Sequence, residues 1–458
     1  MRKNQLTGRR ALFARLAVGA LAFVAACSTD QLLKATDPDI INPSDTKSSE
    51  AAVALANGAI GTFRTITGGG ESSWMFGGLL VDEWSTSSTF VQNDETDQRQ
   101  TQEFNSTVTT ELRQLYRTRT RAIEALAALI PLRPDLRSTI AELYLAKGFA
   151  EMQLALDFCN GIPISDGNAS PPVNGAPKTT TEVFTMAAAT LDTAIQYANG
   201  TDAQSVLMNR AAKTVRARVA LALGDFTTAG TMVTGIPNGW TYQHTFSLTT
   251  STNTLWGQGL SARRYSVGDS VEGNTRNILV ANAIPFSSAK DPRLPVTIPT
   301  SGAINGQDGL TYTRTTAMWQ QLTPVDVVNA VDARMVEAEV ALKSGNVTGW
   351  LAIHNALRAA PPKLGEIQPV AMAPLTDPGT DAARVSLQFR EKAFWTFGRG
   401  QRLGDMRRLI KQYGRTEANT FPQGVHYKGG SYGHDVNLPI VTDERNNVLF
   451  NGCSDRNP

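Results

Sequence analysis

Ala220-Leu221-Ala222-Leu223-Gly224-Asp225-Phe226, with Ala229 beyond it, and Ala338-Glu339-Val340-Ala341-Leu342-Lys343-Ser344-Gly345-Asn346, with Trp350 beyond it, repeat one local design. Small and aliphatic residues favour helix and let a second helix approach closely. The glycine then supplies a left-handed cap, and the Asp or Asn after it opens the next helix. Each stretch reads as two helices packed through a tight turn. Outward from them, helical periodicity recurs over residues 50–66, 74–84, 109–130, 135–158, 182–197, 209–233 and 324–358. A last broken helix covers 382–397 and 404–413. Neighbouring blocks form pairs, as 109–130 and 135–158 do on either side of Pro131 and Pro134.

Helix pairs joined in this way build tetratricopeptide units, although long loops break the period of about 34 residues here. The expected fold is mostly α: a degenerate tetratricopeptide-like helix-pair scaffold carrying a large, irregular, loop-rich excursion. An unrelated helical domain is the alternative. The excursion is 235–323, rich in Thr, Ser, Asn, Gly and Pro and holding Trp240, Trp256 and Trp319. Such a length without helical pattern is too great for an idle connection, so it is the expected ligand-binding segment. Residues 161–178 and 359–381 are shorter, Pro-rich surface loops.

The N-terminus reads as an address. Arg2, Lys3, Arg9, Arg10 and Arg15 precede an apolar run at 16–26, too short to span a bilayer. Val24-Ala25-Ala26-Cys27 matches the bacterial lipobox, in which the cysteine is lipidated after cleavage. A plain secretory signal cleaved at Ala26 is the alternative. The expected organisation is a signal peptide at 1–26, a lipidated tether at 27–48 and a body at 49–458. Ser28 after the cysteine favours the outer membrane, with membrane attachment through the lipid anchor only. Export allows Cys159 and Cys453 to pair, with two buried free thiols as the alternative.

Of the 43 Lys and Arg, five lie in the leader, leaving 38 against 41 acids, a net charge of −3. Nucleic acid is therefore not an expected partner. The four histidines, His244, His354, His426 and His434, are scattered, so no metal site or cofactor is expected. No nucleophile elbow, zinc-protease helix, Walker loop or dinucleotide fingerprint occurs, and no enzyme activity is expected. Asp82-Glu83 is the most tempting acidic pair, yet adjacent helical positions diverge by about 100°, and it reads as a solvated helix end.

Binding is the remaining class. Sugars are held by aromatic faces flanked by polar groups. The candidates are aromatics in polar, Gly-rich surroundings: Trp74, Trp84, Phe90, Trp240, Tyr242, Trp256, Tyr265 and Trp319. For each one, anchoring its loop to the helices is the competing role.

The C-terminal run Phe389-Arg390-Glu391-Lys392-Ala393-Phe394-Trp395-Thr396-Phe397-Gly398-Arg399-Gly400-Gln401-Arg402-Leu403-Gly404-Asp405-Met406-Arg407-Arg408 resembles the late signature of the SusD/RagB family of outer-membrane nutrient-binding lipoproteins. Arg402, Asp405, Arg407 and Arg408 fall on its R-x-x-D-L/M-R-R part. Gly398-Arg399 replaces a usual glutamate. Glu142 to Ala150 running into Gly161-Ile162-Pro163, the helix 212–226, and Leu438-Pro439-Ile440 also resemble family segments. Arg402 and Asp405 are spaced to pair on one helix face, and Arg407 and Arg408 to reach neighbouring carbonyls or acids, so this signature reads as scaffold. The resemblance implies a non-catalytic, cell-surface lipoprotein that binds a nutrient, typically an oligosaccharide. It also implies delivery to a SusC-like TonB-dependent transporter. A protein- or peptide-binding periplasmic adaptor and a secreted α-helical glycosidase are the rival readings.

Overall fold

Many helix starts are set by short polar side chains that take the first free backbone N–H groups. The computed structural model describes residues 48–68, 72–169, 171, 173–302 and 304–458, and these form twelve α-helices. They are α1 (Ser49–Gly68), α2 (Ser73–Leu79), α3 (Val91–Asp97), α4 (Ser106–Leu132), α5 (Arg137–Asp157) and α6 (Thr180–Tyr197). The remainder are α7 (Ala203–Leu223), α8 (Phe226–Val233), α9 (Ala330–Lys343), α10 (Val347–Ala359), α11 (Asp381–Trp395) and α12 (Arg402–Tyr413). Asn105 caps α4, a Thr179–Glu182 capping box opens α6, and an Asn329–Asp332 box opens α9.

The two turns quoted above close as helix–turn–helix joints. Gly224 caps α7 at φ 79° and Asp225 accepts from the Thr228 N–H to open α8. Gly345 has φ 77°, and Asn346 accepts from the Gly349 N–H to open α10. From α4 to α10 each helix packs on the next, α8 on α9 included, so the excursion between those two leaves the stack and returns to it. Close approach needs missing side chains: a Cβ on Gly148 of α5 would lie 2.7 Å from Leu191 of α6. Residues 52–458 form one compact unit. The leader 1–26, Cys27 and the tether up to residue 47 lie outside the described residues.

The excursion holds no α-helix among its described residues, only a π-helical turn at Leu255–Ser261, a 3-10 turn at Asn274–Arg276 and short strands. Four strands position it: β1 (Trp84–Thr86), β2 (Thr241–His244), β3 (Tyr265–Val267) and β4 (Val325–Asn329). β2 pairs antiparallel with β4, which ties the start of the excursion to the segment that follows it. β1 pairs antiparallel with β3, with Thr86 opposite Tyr265. The helix expected over 74–84 is therefore corrected. α2 stops at Leu79 because Gly77-Gly78 weakens the helix and Trp84 folds back over Gly78, where a Cβ would meet its Cδ1 at 2.6 Å. α7 starts at Ala203 rather than 209 because Asp202 caps it through the Ser205 N–H. Cys159 and Cys453 are joined in a disulfide that closes 294 residues, fixing the end of α5 to the C-terminal segment.

Gly224 has no atom nearer than 4.0 Å to a built Cβ, so its requirement is conformational. We expect Gly224→Ala to cost about 1–2 kcal/mol in urea unfolding through the left-handed backbone alone. An unchanged midpoint would show that the turn relaxes.

Candidate functional site

The eight candidate aromatics divide by burial. Trp74 is enclosed in α2 against Phe149, ring centroids 6.5 Å apart. Trp84, Tyr265 and Trp319 are buried in one cluster with Phe397 of the C-terminal signature. In that cluster Trp84 lies 4.8 Å from Phe397, and Trp319 stacks on Phe397 at 6.3 Å. Tyr242 is buried, and its hydroxyl donates to Glu142 Oε1 at 2.8 Å. These five rings are core that fastens β1, β2, β3 and the late excursion to the helices, and none offers a face to a ligand in this conformation. Trp256 is half-buried on the π-helical turn, and Trp240 lines an open cleft with 9% of its surface exposed. Phe90 alone of the eight is widely open, 41% exposed.

Phe90 sits on a built platform. The β1–β3 pairing is extended by Ser87 N–H donating to the Arg264 carbonyl at 2.9 Å, which brings residues 87–90 beside 263–264. The Arg264 guanidinium lies over the Phe90 ring, 4.5 Å from its centroid. Its Nε donates to Gln307 at 3.1 Å and its Nη1 to Gln258 at 3.4 Å, so the stacked geometry is held from two loops. Beneath, the Lys428 ammonium donates to the Ser88 carbonyl at 2.6 Å and to Asp94 at 2.7 Å, and lies 3.2 Å from Asp308. Burial would raise the Asp308 carboxyl. Hydrogen bonds from the Thr311 side chain and from the Thr311 and Leu310 N–H groups, with Lys428, outweigh it and hold the pKa below the usual value. A ring with a cationic partner on one side and amides around it is the arrangement that holds a sugar C–H face and its hydroxyls.

The acidic pair is corrected: Asp82 and Glu83 are buried, not a solvated helix end. Asp82 takes a two-point bond from Arg402, 2.7 Å and 2.8 Å, so the pairing expected between Arg402 and Asp405 is also corrected. Asp405 instead binds Lys392 of α11 at 2.7 Å and lies 3.5 Å from Arg408. Arg407 donates to the Ala155 and Leu156 carbonyls at the end of α5, and Arg408 to Glu339 and the Leu221 carbonyl. Glu83 accepts from the Gly398 N–H at 3.0 Å, and burial pushes its pKa up to about 8. His244 is driven down to about 3 by burial and the nearby Arg64, and meets Thr67 at 2.7 Å. His354 packs against Gln388 at 2.7 Å. No group of three or more metal-ligating side chains occurs among the described residues.

No protein-family model and no curated protein matches the chain. Solved structures do. A SusD superfamily protein from Bacteroides fragilis superposes with TM-score 0.64 at 16% identity, covering 88% of this chain and 98% of that one. One from Bacteroides vulgatus gives 0.61 at 14%, covering 89% and 99%. A laminarin-binding SusD-like protein gives 0.59 at 16%, covering 89% and 99%. The helix-pair scaffold with its loop excursion is therefore a known architecture. The chain has the SusD-like fold.

Unfolded, Glu83 ionises near 4.5; folded, it holds its proton to about 8. The folded chain thus carries an extra proton between those values, so this group makes stability fall as pH rises through that window and level off above it. We expect Glu83→Gln to remove that part of the slope and to stabilise the protein at pH 8 relative to pH 5. Parallel denaturation curves for variant and parent at both pH values would contradict it.

Proposed function

We propose that the protein is a non-catalytic surface lipoprotein of the SusD/RagB type. It binds an oligosaccharide and delivers it to a SusC-like TonB-dependent transporter in the bacterial outer membrane. The carrying observation is the Phe90 platform, an exposed ring under the Arg264 guanidinium, which Gln258 and Gln307 hold in place, on a surface assembled from 87–90, 258–264 and 305–308. The SusD-like fold and the laminarin-binding neighbour support a carbohydrate ligand. Lipidation at Cys27 provides the anchor, and residues 28–48 serve as the tether on which the body moves over the barrel. No helix among the described residues is long and apolar enough to cross a membrane.

Ligand is held, not transformed. The ring covers the C–H face of a sugar unit while Gln258, Gln307 and Arg264 meet its hydroxyls. Chain length and linkage are then read by the flanking loops.

Truncating a central aromatic contact typically costs more than about 1 kcal/mol. Phe90→Ala is expected to weaken binding of laminarin or another bound glycan about tenfold in isothermal titration, with the thermal midpoint unchanged. Equal affinity would remove the platform from the reading. Purified from its native outer membrane in mild detergent, the lipidated chain is expected to bring a large TonB-dependent barrel with it. Recovery alone, while other membrane complexes survive, would count against the delivery role.

A further inference from the structure

On the helix-pair side of the chain, an open cleft of about 1030 Å³ lies between α9, α10, the β2–β4 ribbon and residues 362–366. It shares no lining residue with the Phe90 platform. Its walls differ in chemistry. The ribbon wall is built around Asp326, whose Oδ1 accepts from Thr241 Oγ1 at 2.8 Å and Gln243 Nε2 at 2.7 Å, while Oδ2 accepts from Asn329 Nδ2 at 2.7 Å. With those donors engaged on Asp326, Thr241 and Gln243 have oxygen lone pairs left for anything in the cleft. Trp240 also lines it, nine-tenths buried.

The opposite wall is α10. Ala352, Ile353, Ala356, Leu357 and Ala360 fall at helical spacing and give a low apolar surface. The cations of the cleft are spoken for. Arg334 pairs with Glu337 at 2.9 Å and also donates to the Ile236 carbonyl, and Lys363 pairs with Glu366 at 3.2 Å. An anionic ligand would have to compete with Glu337 and Glu366 for these cations and would face Asp326. A ligand rich in hydroxyl donors, with one flat C–H face, matches both walls. The volume stands at the top of the usual range for ligand pockets, about 300–1,000 Å³, which suits a chain of sugar units rather than a single one.

We propose that this cleft is a second binding site, separate from the Phe90 platform, for a neutral oligosaccharide. A peptide fits less well, because its carbonyls need donors and the ribbon wall has spent most of its own. Two sites on one chain would let it retain a glycan at the helices while the loop face exchanges another stretch of it.

The test uses the full chain titrated calorimetrically with laminaritetraose, cellotetraose, maltotetraose, xylotetraose and mannotetraose. Two variants accompany it: Ala356→Arg, which fills the cleft from an exposed helix position, and Phe90→Ala. Circular dichroism and thermal midpoints confirm folding of each. We expect two sites for at least one tetrasaccharide. Ala356→Arg should abolish one of them, and Phe90→Ala should leave it intact. If Ala356→Arg titrates like the parent while Phe90→Ala abolishes all binding, the cleft proposal falls and the platform stands. Loss with Ala356→Arg but not with Phe90→Ala sustains the cleft and removes the platform. Absence of binding to any glycan overturns both. A mixed peptide pool retained by the parent and released by Ala356→Arg, with no sugar bound there, overturns the saccharide assignment.

Discussion

Burying a guanidinium is tolerable only when its charge and its hydrogen bonds are met inside the protein, and α12 sets that condition several times over. Arg402 grips Asp82 near β1, Arg407 covers the last carbonyls of α5, and Arg408 reaches Glu339 of α9 and the last turn of α7. Just before the helix, Arg399 and Gln401 both bind Asp332 in the first turn of α9. One short helix thus touches the N-terminal loops and three members of the helix stack. Cations at the C-terminal ends of α5 and α7 also complement the partial negative charge there. Burial lowers the Arg407 pKa to about 10, eased by Asp157, so it remains charged at neutral pH.

This lattice of buried pairs fixes where the loops lie. Asp82 and Glu83 are the two residues before β1, and they are held by Arg402 and Gly398 from the far end of the chain. β1 in turn sets β3, and the β1–β3 register delivers Phe90 to Arg264. Trp84, Tyr265, Trp319 and Phe397 fill the space under that ribbon. The proposed binding surface is therefore local in chemistry but global in construction: an exposed ring depends on ion pairs formed across some three hundred residues.

The helix pairs were readable because glycine at a helix end and Asp or Asn after it are local signals, and the helices obey them at Gly224 and Gly345. The C-terminal signature was readable as scaffold, but its partners were not. Arg402 is spaced to meet Asp405, and only the folded chain shows Asp82, 320 residues away, taking it instead. The aromatics misled in an instructive way. Tryptophans set among glycines and serines look available, yet Trp84 and Trp319 are there to anchor thin loops that have little else to bury. Phe90 carried the same sequence signal and differs because residues past β1 turn outward over Arg264. The helix-side cleft left no mark in the sequence, since its polar wall joins 241–243 to 326–329 through a strand pairing that no local pattern announces.

Ligand capture at the Phe90 platform is the role to which the buried pairs and the β1–β3 register lead. Hydrogen–deuterium exchange on the full chain, with and without a saturating glycan shown to bind it, examines that most directly. The account predicts slowed exchange at 87–91, 258–264 and 305–309, with α4 to α6 unchanged. Saturation by ligand without added protection in any of those three segments would contradict it.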